Sequence, residues 1–129
     1  MRYDPQLAAR LTCSDTERAA LAPLVEQIVS FAEKARREGL LSVEGDIPDI
    51  EDRHLKLGMK LVVDGTDPAV IEEVFHSALL SDNPEGATLR RRLIVLDGVL
   101  GFVAGEDPRL LRLRLAAHIG GEAFFAAGR

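Results

Sequence analysis

Leu55-Lys-Leu-Gly-Met-Lys-Leu-Val-Val-Asp-Gly-Thr-Asp-Pro68 is the stretch on which the fold turns. Its apolar positions Leu55, Met59, Leu61 and Val62 recur at helical spacing, and Gly65 follows where a glycine stops a helix. Asp67-Pro68 restarts the chain, with Asp as N-cap and Pro in the first turn, where its missing N–H leaves no bond unmade. At an offset of 40 residues the pattern returns as Val95-Leu-Asp-Gly-Val-Leu-Gly-Phe-Val-Ala-Gly-Glu-Asp-Pro108. Gly58 matches Gly98, Gly65 matches Gly105, and the two Asp-Pro steps coincide. Beyond the turn Val70 falls on Leu110, Ile71 on Leu111, Phe75 on Leu115 and Leu79 on Ile119. Residues 53–80 and 93–120 therefore read as two copies of one helical hairpin, with a period that belongs to stacked-hairpin repeats. Such a unit cannot bury its apolar face alone and needs a neighbour on it.

Working outward toward the N-terminus, Ser14-Asp15-Thr16-Glu17 fits a capping box. Leu21, Leu24, Val25, Ile28, Val29, Ala32 and Ala35 then give one apolar face, so a long helix is expected over 14–39, after an N-terminal tail at 1–13. Lys34, Arg36 and Arg37 fall in the last turn, where cations suit the helix dipole, and Gly39 is the stop. Pro23 either kinks this helix or marks its true first turn. Gly45 and Pro48 break residues 40–52 into short helical turns. Further helices are expected from Asp52 to Asp64, from Pro68 to Leu80 with Val70, Ile71, Val74, Phe75, Ala78 and Leu79 buried, from Ala87 to Ala104, and from Pro108 to Ile119. Ser81 to Gly86 reads as a loop, and Glu122 to Ala127 as a frayed final turn. The expectation is one all-α domain over 1–129 with about five helices: two stacked hairpins packed on a long N-terminal helix.

Composition excludes several classes. The 129 residues hold five Phe, one Tyr and no Trp, too few aromatics for a β-sandwich. A net charge of −5 argues against sequence-independent nucleic-acid binding, which needs a cationic face. The single Cys13 cannot form an intramolecular disulfide, so a reducing, cytoplasmic setting is expected. The longest apolar run, Leu93 to Ala104, contains Asp97 and falls well short of the ~20 residues of a membrane span. Neither a signal peptide nor membrane insertion is expected.

No catalytic or metal-binding constellation stands out. His54, His76 and His118 lack ligand spacing, Cys13 has no basic partner fixed by sequence, and the glycines form no phosphate loop. The acidic run Glu44, Asp46, Asp49, Glu51, Asp52 does not fit a calcium loop. No cofactor, no metal and no enzymatic activity are expected. Charge is uneven, however. Residues 44–86 carry a net −8 and residues 87–129 a net +3, and Arg90-Arg91-Arg92 is a candidate patch for an acidic partner.

The stretch Phe31-Ala-Glu-Lys-Ala-Arg-Arg-Glu-Gly-Leu-Leu-Ser-Val-Glu44, followed by Ile50-Glu-Asp52 and Leu61-Val-Val-Asp-Gly-Thr-Asp-Pro68, resembles the cytoplasmic segment of the MotA family of flagellar motor stator proteins. The likeness covers roughly residues 24–80. It implies a helical segment that faces the rotor and engages the rotor switch protein FliG through charged residues. The family's Arg in Lys-x-Arg-x-x-Gly falls on Arg36, and its Glu eight residues later falls on Glu44; Arg37 stands beside them. The sequence departs from the family in carrying no membrane helices, in having Arg53 where a Pro is expected, and in a second hairpin after residue 80.

Two functions follow. The first is a non-enzymatic, soluble MotA-like interaction module that binds FliG or a stator component. The second is a helical-repeat scaffold unrelated to motility. Leu110, Leu113, Phe124 and Phe125 are expected to be exposed, which adds a homodimer to the expected partners.

Overall fold

A computed structural model describes residues 4–129. Among them the secondary structure is helical, in eight α-helices and one 3-10 segment. The helices are α1 (Pro5–Arg10), α2 (Asp15–Ala19), α3 (Ala22–Glu38), α4 (Arg53–Val63), α5 (Pro68–Asp82), α6 (Gly86–Val103), α7 (Pro108–Ala116) and α8 (Gly121–Ala127), and the 3-10 segment is Leu40–Asp49. The all-α expectation is met; the count of about five is too low.

Three differences have plain causes. Part of the expected N-terminal tail is α1, started by the Asp4 side chain accepting from the Gln6 N–H at 2.9 Å with Pro5 in the first turn; residues 1–3 of that tail lie outside the described residues. The long helix expected from Ser14 is two helices. The Ser14–Glu17 capping box is present in both directions, but the helix it starts ends at Ala19. Pro23 has no N–H to give the Ala19 carbonyl and its ring crowds that oxygen, so the chain restarts as α3 with Pro in its first turn. The expected frayed end is the helix α8, opened by Gly120 and Gly121 at positive φ.

The two Asp-Pro turns are alike bond for bond. After α4 the Thr66 N–H reaches the Leu61 carbonyl and the Gly65 N–H the Val62 carbonyl, both at 3.0 Å. After α6 the Glu106 N–H reaches Gly101 and the Gly105 N–H reaches Phe102, both at 3.1 Å. This is the Schellman closure, which needs a left-handed residue; Gly65 has φ 80° and Gly105 φ 69°. Asp67 and Asp107 then cap α5 and α7 through backbone N–H groups at 2.8 Å.

The centre of the molecule is α6. Leu89, Ile94, Val95, Leu96, Val99 and Phe102 are all buried, on more than one side of the helix. It packs against α4 and α5 on one hand and α3 and α7 on the other, while the 3-10 segment bridges α3 and α4 and α8 lies on α7. Two glycines let α6 sit close to its neighbours. A Cβ at Gly58 would stand 2.7 Å from Val99 Cγ2, and one at Gly98 would stand 2.8 Å from Ile28 Cδ1. The core is mainly aliphatic, with Ile28, Leu55, Met59, Ile71, Ile94, Leu111 and Leu115 fully enclosed and Phe31, Phe75 and Phe102 buried among them.

Burial on α5 is narrower than the sequence pattern implies. Ile71 and Phe75 are buried, but Val70 and Val74 are 45% and 42% exposed and Leu80 is 84% exposed. No element covers the outer side of α5 among the described residues. At the C-terminal end Leu110 and Phe125 are exposed as expected, whereas Leu113 and Phe124 are half-buried. The two phenylalanine rings pack at a 5.5 Å centroid distance, tilted by 60°.

Candidate protein-interaction site

The charges singled out in the sequence divide into two groups. Arg36 and Arg37 stand in the last turn of α3, whose end is fixed by the Gly39 N–H on the Ala35 carbonyl at 2.8 Å. Gly39, at φ 94°, turns the chain into the 3-10 segment. Val43 and Ile47 are buried and anchor that segment, which leaves Glu44 facing solvent between them. Arg36 and Glu44 therefore lie on either side of one glycine turn, and both are exposed.

Arg36 is held loosely. Its Nη1 is 3.4 Å from Asp107 Oδ2, and its side chain is 62% exposed. The backbone N–H of Arg109 is the main reason the Asp107 carboxyl lies below the usual carboxylate range; the Arg36 and Arg109 charges add to it. Arg37 borders a shallow polar groove with Lys34, Asp46 and Asp49. There Lys34 Nζ donates to Asp46 Oδ2 at 2.8 Å, and that bond raises the lysine pKa. Glu44 and Arg37 have no ion-pair partner among the described residues.

Arg90, Arg91 and Arg92 behave otherwise. Successive residues on a helix step by about 100°, so the three side chains point three ways. Arg90 donates to the Leu11 carbonyl at 2.9 Å and to the His118 carbonyl at 2.8 Å, tying the N-terminal segment to the end of α7. Arg91 reaches Asp52 Oδ2 at 2.7 Å, the same side chain whose Oδ1 caps α4. Arg92 is buried at 6% exposure, pairs with Asp82 at 2.9 Å, and leaves Nη2 without a partner. All three hold the fold together.

Several contacts had no signal in the sequence. His118 Nε2 lies 2.7 Å from Asp97 Oδ2. Arg112 grips Glu26 with two nitrogens, at 3.1 and 2.9 Å, and reaches Glu33 at 3.5 Å. Arg10 bonds Asn83 Oδ1 at 2.7 Å and the Pro84 carbonyl at 3.0 Å. Among the described residues no three His, Cys, Asp or Glu side chains gather as metal ligands would, and no helix is long and apolar enough to cross a membrane.

Motility protein A of Borreliella burgdorferi is 43% identical to this chain over 60 residues, 46% of the chain and 23% of that relative. The chain is MotA-like. Motility protein A of Bacillus subtilis is 29% identical over 105 residues, 74% of the chain and 39% of the relative. That of Treponema pallidum is 39% identical over 56 residues, 43% of the chain and 22% of the relative. The MotA-like chain thus matches between 22% and 39% of the length of these curated relatives. No family model matches the chain. No solved structure matches it either.

Proposed function

We propose that this chain is a rotor-facing, non-enzymatic, MotA-like interaction module of the flagellar motor, and that it binds the rotor switch protein FliG through Arg36 and Glu44, with Arg37 beside them. The observation that carries the reading is the state of these charges. They match the family's Lys-x-Arg-x-x-Gly motif and its following Glu, they stand exposed at one turn, and the fold makes little use of them. Arg90, Arg91 and Arg92, fixed in internal contacts, serve the scaffold in this reading.

Exposed charge pairs contribute up to about 1 kcal/mol each. Charges of this kind steer and select a partner more than they hold it, and salt screens them beyond a Debye length of about 10 Å at 0.1 M. Calorimetric titration of the chain with the C-terminal domain of FliG, at low and high salt, tests the proposal. Binding is expected to weaken with salt and to weaken again in Arg36→Glu and Glu44→Lys, both of which should remain folded. No binding by a folded sample would overturn the reading and leave a helical scaffold unrelated to motility in its place.

A further inference from the structure

The helix α5 carries two stripes. Ile71 and Phe75 are buried and hold it to α6. Val70, Glu73, Val74, Ser77, Leu80 and Ser81 form the second, at spacings of three and four residues, and all six are exposed. Residues three and four apart share one face of a helix, so these six run as a single line along α5. Apolar residues in such a line are what one helix offers another for packing. A helix that only covers a core is polar on its remaining surface. The sister hairpin shows what the line accepts. At the offset of 40 residues Val70, Glu73, Val74 and Ser77 fall on Leu110, Leu113, Arg114 and Ala117 of α7. There a helix is already in place. The helix α8 packs on α7, Leu113 is half-buried, and a Cβ on Gly128 would stand 3.6 Å from Leu113 Cδ1. On α5 no element takes that place among the described residues.

Charge specifies the occupant. Where α7 has three arginines and no acid, residues 61–89 hold six acidic side chains and no Lys or Arg. Glu73 lies inside the line, next to Glu72, and neither has an ion-pair partner among the described residues. We propose that this face of α5 seats a basic amphipathic helix of another protein. The aliphatic residues of that helix pack between Val70, Val74 and Leu80, and its Lys or Arg meets Glu73. Ser77, a small residue in the middle of the line, lets the two axes come close. A second copy of the chain does not supply the match through its own α5, because acid would face acid. The apolar residues give the affinity, and the charge gives orientation and choice of partner. The inference is independent of the reading of Arg36 and Glu44, which lie on other elements.

The test titrates the full chain with a helix-stabilised synthetic peptide that repeats Leu at three- and four-residue spacing and carries Lys on either side of that stripe. One control peptide has the same composition in scrambled order; a second keeps the stripe and has Glu for Lys. The methyl resonances of Val70, Val74 and Leu80 are followed, with those of Leu110 as reference. Saturable shifts are expected at the three α5 residues and none at Leu110, with both controls binding about tenfold more weakly or worse. Glu73→Lys should weaken binding by about tenfold, an effect that fades as salt is added. Val74→Ser should weaken it a few-fold at low and high salt alike. Both positions are exposed, so thermal melts should leave the two variants folded like the wild type. Equal binding of the patterned and scrambled peptides would overturn the proposal and leave only unspecific attraction between opposite charges. Unshifted α5 methyls, or shifts centred on Leu110, would overturn it too. Shifts at Val70 and Val74 that grow with protein concentration in the absence of peptide would overturn it in favour of a second copy. None of these results bears on FliG binding, which is measured separately.

Discussion

The hairpin α4–α5 and the hairpin α6–α7 have the same turn and opposite surroundings. Each ends its first helix with a Schellman glycine and opens its second with Asp-Pro, bond for bond. Val70 and Leu110 are exposed in both, while Ile71 and Leu111 are buried in both. Yet α6 is enclosed from several directions, and α7 is covered by α3 and α8 and clamped by Arg112 on Glu26 and Glu33. The first hairpin is the less covered of the two, with Val70 and Val74 left exposed on α5. A turn is thus a local solution that works wherever it is put, whereas the burial of the helices it joins depends on what lies next to them.

Truncating the matched core residues puts this contrast under the greatest load. Leu111→Ala and Ile71→Ala should each lose about 2–5 kcal/mol in urea unfolding. Both side chains are fully buried, but the loss at Leu111 should be the greater, because it fits against Gly101 and α7 has helices on both sides that resist collapse. Equal losses would show that the two hairpins are equally enclosed.

Next come the glycines. Gly58→Ala and Gly98→Ala should each cost about 1–3 kcal/mol, since the new methyl meets Val99 in one case and two carbons of Ile28 in the other. Combining Gly58→Ala with Val99→Ala should lose less than the two single changes added together. Additivity would mean that the close approach of α4 to α6 is not what the glycine serves.

The caps separate the two turns by charge. Asp67→Ala should cost about 1 kcal/mol, as a lost N-cap. Asp107 also faces Arg36, and its carboxyl lies below the ordinary 3.8. Its ionised form is favoured in the folded chain, so the stability it adds is complete above 3.8 and is lost as pH falls through the lower folded value. Asp107→Asn keeps a capping oxygen and removes the charge. Its stability gap from the wild type should be present at pH 6 and shrink in acid; a gap independent of pH would show that the charge facing Arg36 adds nothing to the cap.

The most modest change belongs to His54, whose counterpart at an offset of 40 is Ile94. Burial is the main cause of its lowered pKa, and the Arg92 charge adds to it. The unfolded chain takes up this proton near 6.5 and the folded chain only at lower pH, so stability should decline as pH drops below 6.5. His54→Gln should remove that slope in melts between pH 7 and 5.5, and a slope unchanged in the variant would assign it to other groups.

Much of the fold is legible in the chain, and the misses are instructive. The capping box at Ser14 is legible because both of its bonds span three residues, but the extent of its helix is not, because Pro23 decides it. Period alone places Val70 and Val74 inside, because an apolar residue looks the same whether or not a neighbour arrives to cover it. Of the candidate site, Arg36, Arg37 and Glu44 are exposed where motif spacing puts them. The contacts of the three arginines at 90–92 are not legible in the chain, because their partners lie 10 to 79 residues away.

Local chemistry written in the chain settles the all-helical class, the caps, the glycine stops and the paired Asp-Pro turns, since each is made by groups within about six residues of one another. Packing in three dimensions was needed to make α6 the centre, to leave α5 with an uncovered side, and to bring His118 to Asp97 and Arg112 to Glu26. These depend on partners 21 to 86 residues away in the chain, and helical period names a face without naming what it meets.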